Sequence, residues 1–382
     1  MKPSLGVVEP PARAARSRNR RVFLVAVLAL ALLLVPPTVS YARALTAPGS
    51  ATWGMRTVDW VRAHHGNGLV NAIENWYYAR QKPAAGPPDP ATLPPGTRGT
   101  TSGPDLAAPP ALRRPAGVPA LPGEGVWSPG RAGAGHRPLI YTSYLRPDPR
   151  HLSVIAGVAW IRAGGSVAHL VAGTSQPGGH GWPGDAAVPS GDIGDLVATF
   201  NSGFKLADIP GGFLLDGRTA KPLVAGQASF VIDRDGRVRV GEWGREVTMD
   251  ENVVAVRQNL ALVVDAGEPA PGLGGNAGDR WGNPHNQFQY TWRSGVGVDA
   301  RGDLIYVAGN KMNLTTLAAA MVDTGIVRGM QLDIHPGMVS FSSWLPRSGG
   351  TSVPAKLLPA MPRPADRYLV PDQRDFFYLT AR

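Results

Sequence analysis

Residues 289–341 constrain the fold more tightly than any other part of the chain. Val296, Val298, Leu304, Tyr306 and Val307 are strand-type residues, and Asp299-Ala300-Arg301-Gly302 between them supplies a turn, so the segment opens as a hairpin. Asn313 then stands at a helix N-cap position. Leu314, Leu317, Ala318, Met321 and Val322 share one face of a helix predicted to run to about Thr324, and Gly325 stops it. Residues 327–334 read as a short strand ending near Asp333. Hairpin, helix and strand thus deliver Arg293 at one strand start and Asp333 at another strand end. A cation and a carboxylate on rigid elements beside loops are what an anionic substrate requires.

Strand signals dominate the flanking sequence. Runs at 139–145, 154–161 and 167–172 are rich in Val, Ile and Tyr and bounded by Pro, Asp and Gly. Residues 193–200 lead into Asn201-Ser202-Gly203-Phe204-Lys205, and Asp233-Arg234-Asp235-Gly236 joins a second hairpin. Residues 253–265 hold two further strand-like runs, and 267–288 form a long loop containing His285. After Phe341 prolines multiply and the chain reads as loose until a last strand at 376–379. Many strands and few helices predict an α+β fold with largely antiparallel mixed sheets.

The amino-terminal third reads differently. Residues 1–21 carry Lys2, Arg13, Arg16, Arg18, Arg20 and Arg21 against Glu9 alone, and residues 22–35 are uninterruptedly apolar. A basic tail followed by a transmembrane segment at 22–39 is expected, as an uncleaved signal anchor or as a cleaved signal peptide. Either places residues beyond it outside the cytoplasm and makes membrane lipid a partner of the amino-terminal segment. Residues 45–80, with Trp53, Trp60, Trp76, Tyr77 and Tyr78, read as a juxtamembrane helical hairpin broken at Gly66-Asn67-Gly68. Its aromatics suit a bilayer interface or packing against the main domain equally. Residues 81–137, dense in Pro, Gly and Ala, read as an extended linker, and 138–382 as the folded domain. The net charge of +10 owes much to the tail, on the far side of the apolar run from the folded domain. Nucleic acid is therefore not an expected partner. The chain has no cysteine, which excludes disulfides and thiolate metal sites.

Four motifs in order resemble the phosphodiester glycosidase family: Asn201-Ser202-Gly203-Phe204, Arg293-Ser294-Gly295-Val296-Gly297, Thr316-Leu317 and Leu332-Asp333. The resemblance covers residues 141–341. It departs after Asp333, where Ile334-His335-Pro336-Gly337-Met338 replaces the family's glycine-rich tail. It implies hydrolysis of a sugar-1-phosphodiester, with a carbohydrate-phosphate or cell-wall glycan as substrate. Arg293 would grip the phosphate through paired hydrogen bonds, and Asp333 would stabilise a cationic sugar centre or orient water. His335, two residues on, is a candidate acid, base or ligand. Asn201, Gly203, Lys205, Ser294 and His285 are candidate substrate contacts. No HxxxH or HxH spacing predicts a metal site, and the sequence identifies no cofactor. The alternative is a non-catalytic envelope module that binds a glycan on the same fold.

Overall fold

The computed structural model describes residues 12–47, 49–94, 108–347, 349 and 351–382, with side chains left out at 12–21, 29–34 and 134. Residues 1–11 of the tail expected at 1–21, and 95–107 of the expected linker, lie outside the described residues. Two compact units divide the chain: Met1–Pro48 with Thr52–Val70, and Gly49–Ala51 with Asn71–Arg382.

Helix α1 (Ala12–Thr46) and helix α2 (Trp53–Ala63) belong to the first unit, and helix α3 (Asn67–Tyr78) begins there. Thr52 caps α2 by accepting from Met55 N. Trp60 packs within this unit, its ring 4.2 Å from His64 and 5.1 Å from Tyr41, whereas Trp53 is exposed. Among the described residues no helix is long and apolar enough to cross a membrane.

The second unit is built on three sheets. Its strands are β1 (Ser128–Pro129), β2 (Ile140–Leu145), β3 (Ala156–Ile161), β4 (Ser166–Val171) and β5 (Leu196–Asn201). Then come β6 (Phe213–Leu215), β7 (Arg218–Lys221), β8 (Ala228–Asp233), β9 (Val238–Glu242) and β10 (Val253–Gln258). Next are β11 (Leu262–Asp265), β12 (Glu268–Pro269), helix α4 (Pro284–Phe288), β13 (Thr291–Val298), β14 (Leu304–Met312), helix α5 (Leu314–Asp323) and β15 (Arg328–Ile334). The last are β16 (Phe341–Arg347), β17 (Thr351–Lys356) and β18 (Phe376–Ala381). The eight-stranded sheet runs β1-β2-β3-β14-β13-β15-β11-β12, and the two five-stranded sheets run β7-β6-β10-β8-β9 and β17-β16-β5-β18-β4. The strand ladders are antiparallel, in keeping with the α+β expectation.

Residues from all three sheets meet in one core, where Phe200, Phe230, Tyr306, Phe341 and Phe377 stack on one another. On the other face of the large sheet Leu314, Leu317, Ala318 and Met321 of α5 cover Val158, Ile305 and Val307. Asn313 caps α5 through Thr316 N at 2.9 Å, as its sequence position predicts.

Two expectations need revision. Residues 341–356 are a strand hairpin rather than loose chain. Its prolines, Pro346 and Pro354, lie in the β16–β17 pair at the sheet border, where a missing N–H is tolerated. Part of the expected linker packs on the domain. Leu112 is buried in the α5-side core, and Glu124 forms a buried pair with Arg146 at 2.7 Å. A buried leucine, a satisfied ion pair and the pairing of β1 with β2 dock a segment whose composition is that of a spacer.

Asp323 closes α5. Burial pushes its carboxyl up to about 6, with Arg113 pulling the other way, and a carboxylate also opposes the helix dipole at this end. Because the folded value lies above the ordinary 3.8, the ionised form costs stability above about pH 6, and that cost vanishes below about pH 4. Asp323→Asn should therefore raise the unfolding free energy at pH 8 by on the order of 1 kcal/mol once solvent screening is allowed for. The gain should fade on acidification, which thermal unfolding across pH measures.

Candidate functional site

The carboxyl end of β15 carries the site. Pairing runs Gly295↔Gln331 and then Arg293↔Ile334, so β15 spends three residues where β13 spends two. This bulge separates the two charges that the sequence reading joined. Asp333 leaves toward Arg374, whose Nη2 donates to its Oδ2 at 2.8 Å. Arg293 instead leaves on the side of α5, as does Gly295, where a Cβ would meet Met321.

Arg293 is fully buried. Its Nε donates to Met312 O (2.8 Å), Nη1 to Gln287 Oε1 (3.1 Å), and Nη2 to the carbonyls of Asn286 (2.5 Å), Gln287 (3.0 Å) and Gln289 (3.2 Å). Burial pushes the guanidinium down to about 9, which leaves it charged at neutral pH. The phosphate-gripping role expected of Arg293 is thus corrected: its donors are spent on pinning α4 and the following turn to the sheet.

Asn201 and Ser294 are internal too. Asn201 Oδ1 accepts from Tyr306 Oη (2.9 Å) and Ser340 N (3.1 Å), and its Nδ2 donates to Ser202 O and to Ser294 Oγ (3.0 Å). Ser294 Oγ donates onward to Asp333 O at 3.1 Å. Both residues therefore reach Asp333, but as a hydrogen-bonded chain that fixes its backbone rather than as substrate contacts. Gly203 leaves room for Asn259, 3.1 Å from where a Cβ would stand, and its carbonyl accepts from Arg374 at 2.9 Å. Asn259 Nδ2 in turn holds Gln331 O and Leu332 O, at 2.6 and 2.9 Å. His285 is exposed on α4, outside this network.

Around Asp333 lies a charged cluster that the sequence reading missed. Arg257 pairs with Asp375 (2.7 Å), Arg367 holds Asp372 through two nitrogens (2.7 and 3.1 Å), and Arg363 reaches Asp372 at 3.3 Å. The signal was Asp372-Gln373-Arg374-Asp375, three charges abutting the apolar strand β18. Burial pushes the Asp333 carboxyl up, while Arg374, the Ile334 amide, Lys205 and Arg257 pull it back. Burial also acts to raise Asp372, yet Arg367 overrides it and holds that carboxyl below its ordinary value. Arg257, Arg363, Arg367, Arg374 and Lys205 stand against Asp333, Asp372 and Asp375, an excess of two positive charges, or of one when Glu74 is added. Arg374 Nε and Asp375 Oδ1 are buried with no hydrogen-bond partner among the described residues.

His335 stands at the rim. Its backbone is left-handed, φ +77°, a conformation that glycine adopts without strain and that costs other residues roughly 1–2 kcal/mol. Its ring stacks on Tyr78 (4.9 Å), Nδ1 lies 3.4 Å from Thr291 Oγ1, and Nε2 lies 3.6 Å from Glu74 Oε2. Burial raises the Tyr78 hydroxyl to about 12. Among variants at this position, His335→Gly is expected to exceed His335→Ala in unfolding free energy by about 1 kcal/mol, because only glycine relaxes the backbone. Denaturant titration of the two measures it.

A cavity of about 430 Å³ lies at the other end of the strands, between Ile161, Arg237 and Gly302. Arg237, Arg239 and Arg301 at its wall are each paired with aspartates.

No family model matches the chain, and no curated protein matches it. Among solved structures, it is similar to the catalytic domain of zebrafish N-acetylglucosamine-1-phosphodiester alpha-N-acetylglucosaminidase, auto-inhibited by its pro-peptide. That likeness has 16% identity over 66% of this chain and 87% of that one, with a TM-score of 0.44. It is also similar to a hypothetical protein from Synechocystis, at 11% identity over 60% of this chain and 59% of that one, with a TM-score of 0.33.

Proposed function

We propose that the chain is a hydrolase that cleaves a sugar-1-phosphodiester of the cell envelope, held at the membrane by residues 22–39. The observation that carries the reading is the Asp333–Arg374 pair, set on a bulged strand end inside a cluster with surplus positive charge. The motif order around Asn201, Ser294 and Asp333 supports the same substrate class.

In this reading Arg374 and Lys205 hold the phosphate and Asp333 lies beneath the anomeric carbon. The bond from that carbon to the ester oxygen breaks, and its electron pair leaves with the phosphate. Water adds to the carbon, its proton passes to His335 and then to solvent, and the products are a free sugar and a phosphate monoester. Ordinary glycosidases need a second carboxyl group to protonate a poor leaving group. A phosphate monoester, with a second pKa near ~6, leaves as an anion without one. Preorganised cations therefore supply the main stabilisation.

The second reading, a glycan-binding module, draws on the fact that both Asp333 oxygens are engaged, Oδ2 by Arg374 and Oδ1 by Ile334 N. Incubating the full chain with the methyl diester of N-acetylglucosamine-1-phosphate separates them. Release of free sugar, with KM raised about tenfold or more by Arg374→Met, supports the enzyme. Saturable binding without release supports the module.

A further inference from the structure

Helix α3 presents two unlike faces. Successive helical residues turn by about 100°, so Glu74, Asn75 and Tyr78 lie on one side and Ile73, Trp76 and Tyr77 on the other. The first side meets the domain at the rim of the site. Tyr78 stacks on His335, Glu74 approaches the same ring, and Asn75 Oδ1 accepts from Gln289. The second side is bare, with Ile73 57%, Trp76 60% and Tyr77 50% exposed. A helix packed on a soluble domain ordinarily turns charge, not aromatic rings, toward water.

The chemistry of the bare side is that of residues seated among lipid headgroups. Trp and Tyr favour that level of the bilayer, and the Arg80 guanidinium lies 4.4 Å over the Trp76 ring, at the edge of the apolar face. Residues 71–82 carry Arg80 and Lys82, both exposed, while their one anion, Glu74, turns toward His335, a balance that complements anionic lipid. The same chain carries the apolar run at 22–35. We infer that Ile73, Trp76 and Tyr77 lie on the bilayer surface and hold the Asp333 rim against it, so that the substrate is a sugar phosphodiester whose second alcohol is a lipid. The substrate half rests on the hydrolase reading above; the surface half does not.

The test uses the full chain in vesicles of phosphatidylcholine and phosphatidylglycerol. Brominated lipid should quench the fluorescence of the wild type more than that of Trp76→Phe; equal quenching overturns the surface assignment. The triple variant Ile73→Ser, Trp76→Ser, Tyr77→Ser should hydrolyse the farnesyl diester of N-acetylglucosamine-1-phosphate about tenfold more slowly, with the methyl diester unaffected. An equal loss on both diesters, or on neither, overturns the lipid-linked substrate. If the wild type cleaves neither diester, the substrate half falls with the hydrolase reading, and quenching decides the surface half alone.

Discussion

Asp333→Asn is expected to abolish hydrolysis, lowering kcat by about 10³-fold or more while the chain stays folded. The amide keeps the shape of the carboxylate and can still accept from Ile334 N, but it carries no charge to place beneath a cationic sugar centre. Because burial raises this carboxyl even beside Arg374, the neutral amide removes a cost of ionisation that offsets the loss of the counter-ion, so the fold should keep its stability and unfolding does not explain the lost rate. In the wild type the active form is the ionised one, and burial raises the Asp333 carboxyl. The rate should therefore fall with acidification at a pH above the ordinary aspartate value. The stability sign runs the other way. A folded value above the unfolded one means that ionised Asp333 costs stability, and acidification through that window relieves the cost. A pH–rate profile and a pH–stability profile that move in opposite directions would mark Asp333 as the group responsible.

Arg293→Met is expected to have the largest effect on stability, about 3–5 kcal/mol, or roughly 10 °C in melting temperature for a domain of this size. Methionine fills much of the volume but donates nothing. The carbonyls of Met312, Asn286, Gln287 and Gln289 and the Gln287 side chain would then lose their shared donor in a buried place. Activity per folded molecule should stay within about threefold, because the guanidinium faces away from Asp333. A phosphate-binding arginine would behave in the opposite manner, with the fold intact and the rate lost. Thermal unfolding and active-site-normalised kinetics on the same preparation distinguish the two.

The contrast between these residues shows what the sequence could convey. Hairpin, capped helix and closing strand were legible because each rests on local signals: alternation, Asn313 before an apolar face, Gly325 after it. The destination of Arg293 was not, because it depends on one extra residue in β15, and a bulge leaves no mark in hydrophobic period. Asn201 and Ser294 were recognised as motif residues, but their partners lie 93 and 39 residues away, so a supporting role could not be told from a substrate contact. Arg374 and Arg257 escaped notice because nothing local distinguishes a cation that will be buried by a distant strand from one bound for solvent. The prolines of β16 and β17 hid a hairpin for a related reason: a border position is a tertiary property.

The most direct measurement follows the methyl diester of N-acetylglucosamine-1-phosphate by phosphorus NMR in ¹⁸O-labelled water. Methyl phosphate without an isotope shift, formed by the wild-type chain and not by Asp333→Asn, is the expected result, since water then joins the sugar carbon and the phosphate keeps its own oxygens. Methyl phosphate carrying the label, which would mean attack at phosphorus, or no methyl phosphate at all, would contradict the role given to Asp333 and Arg374.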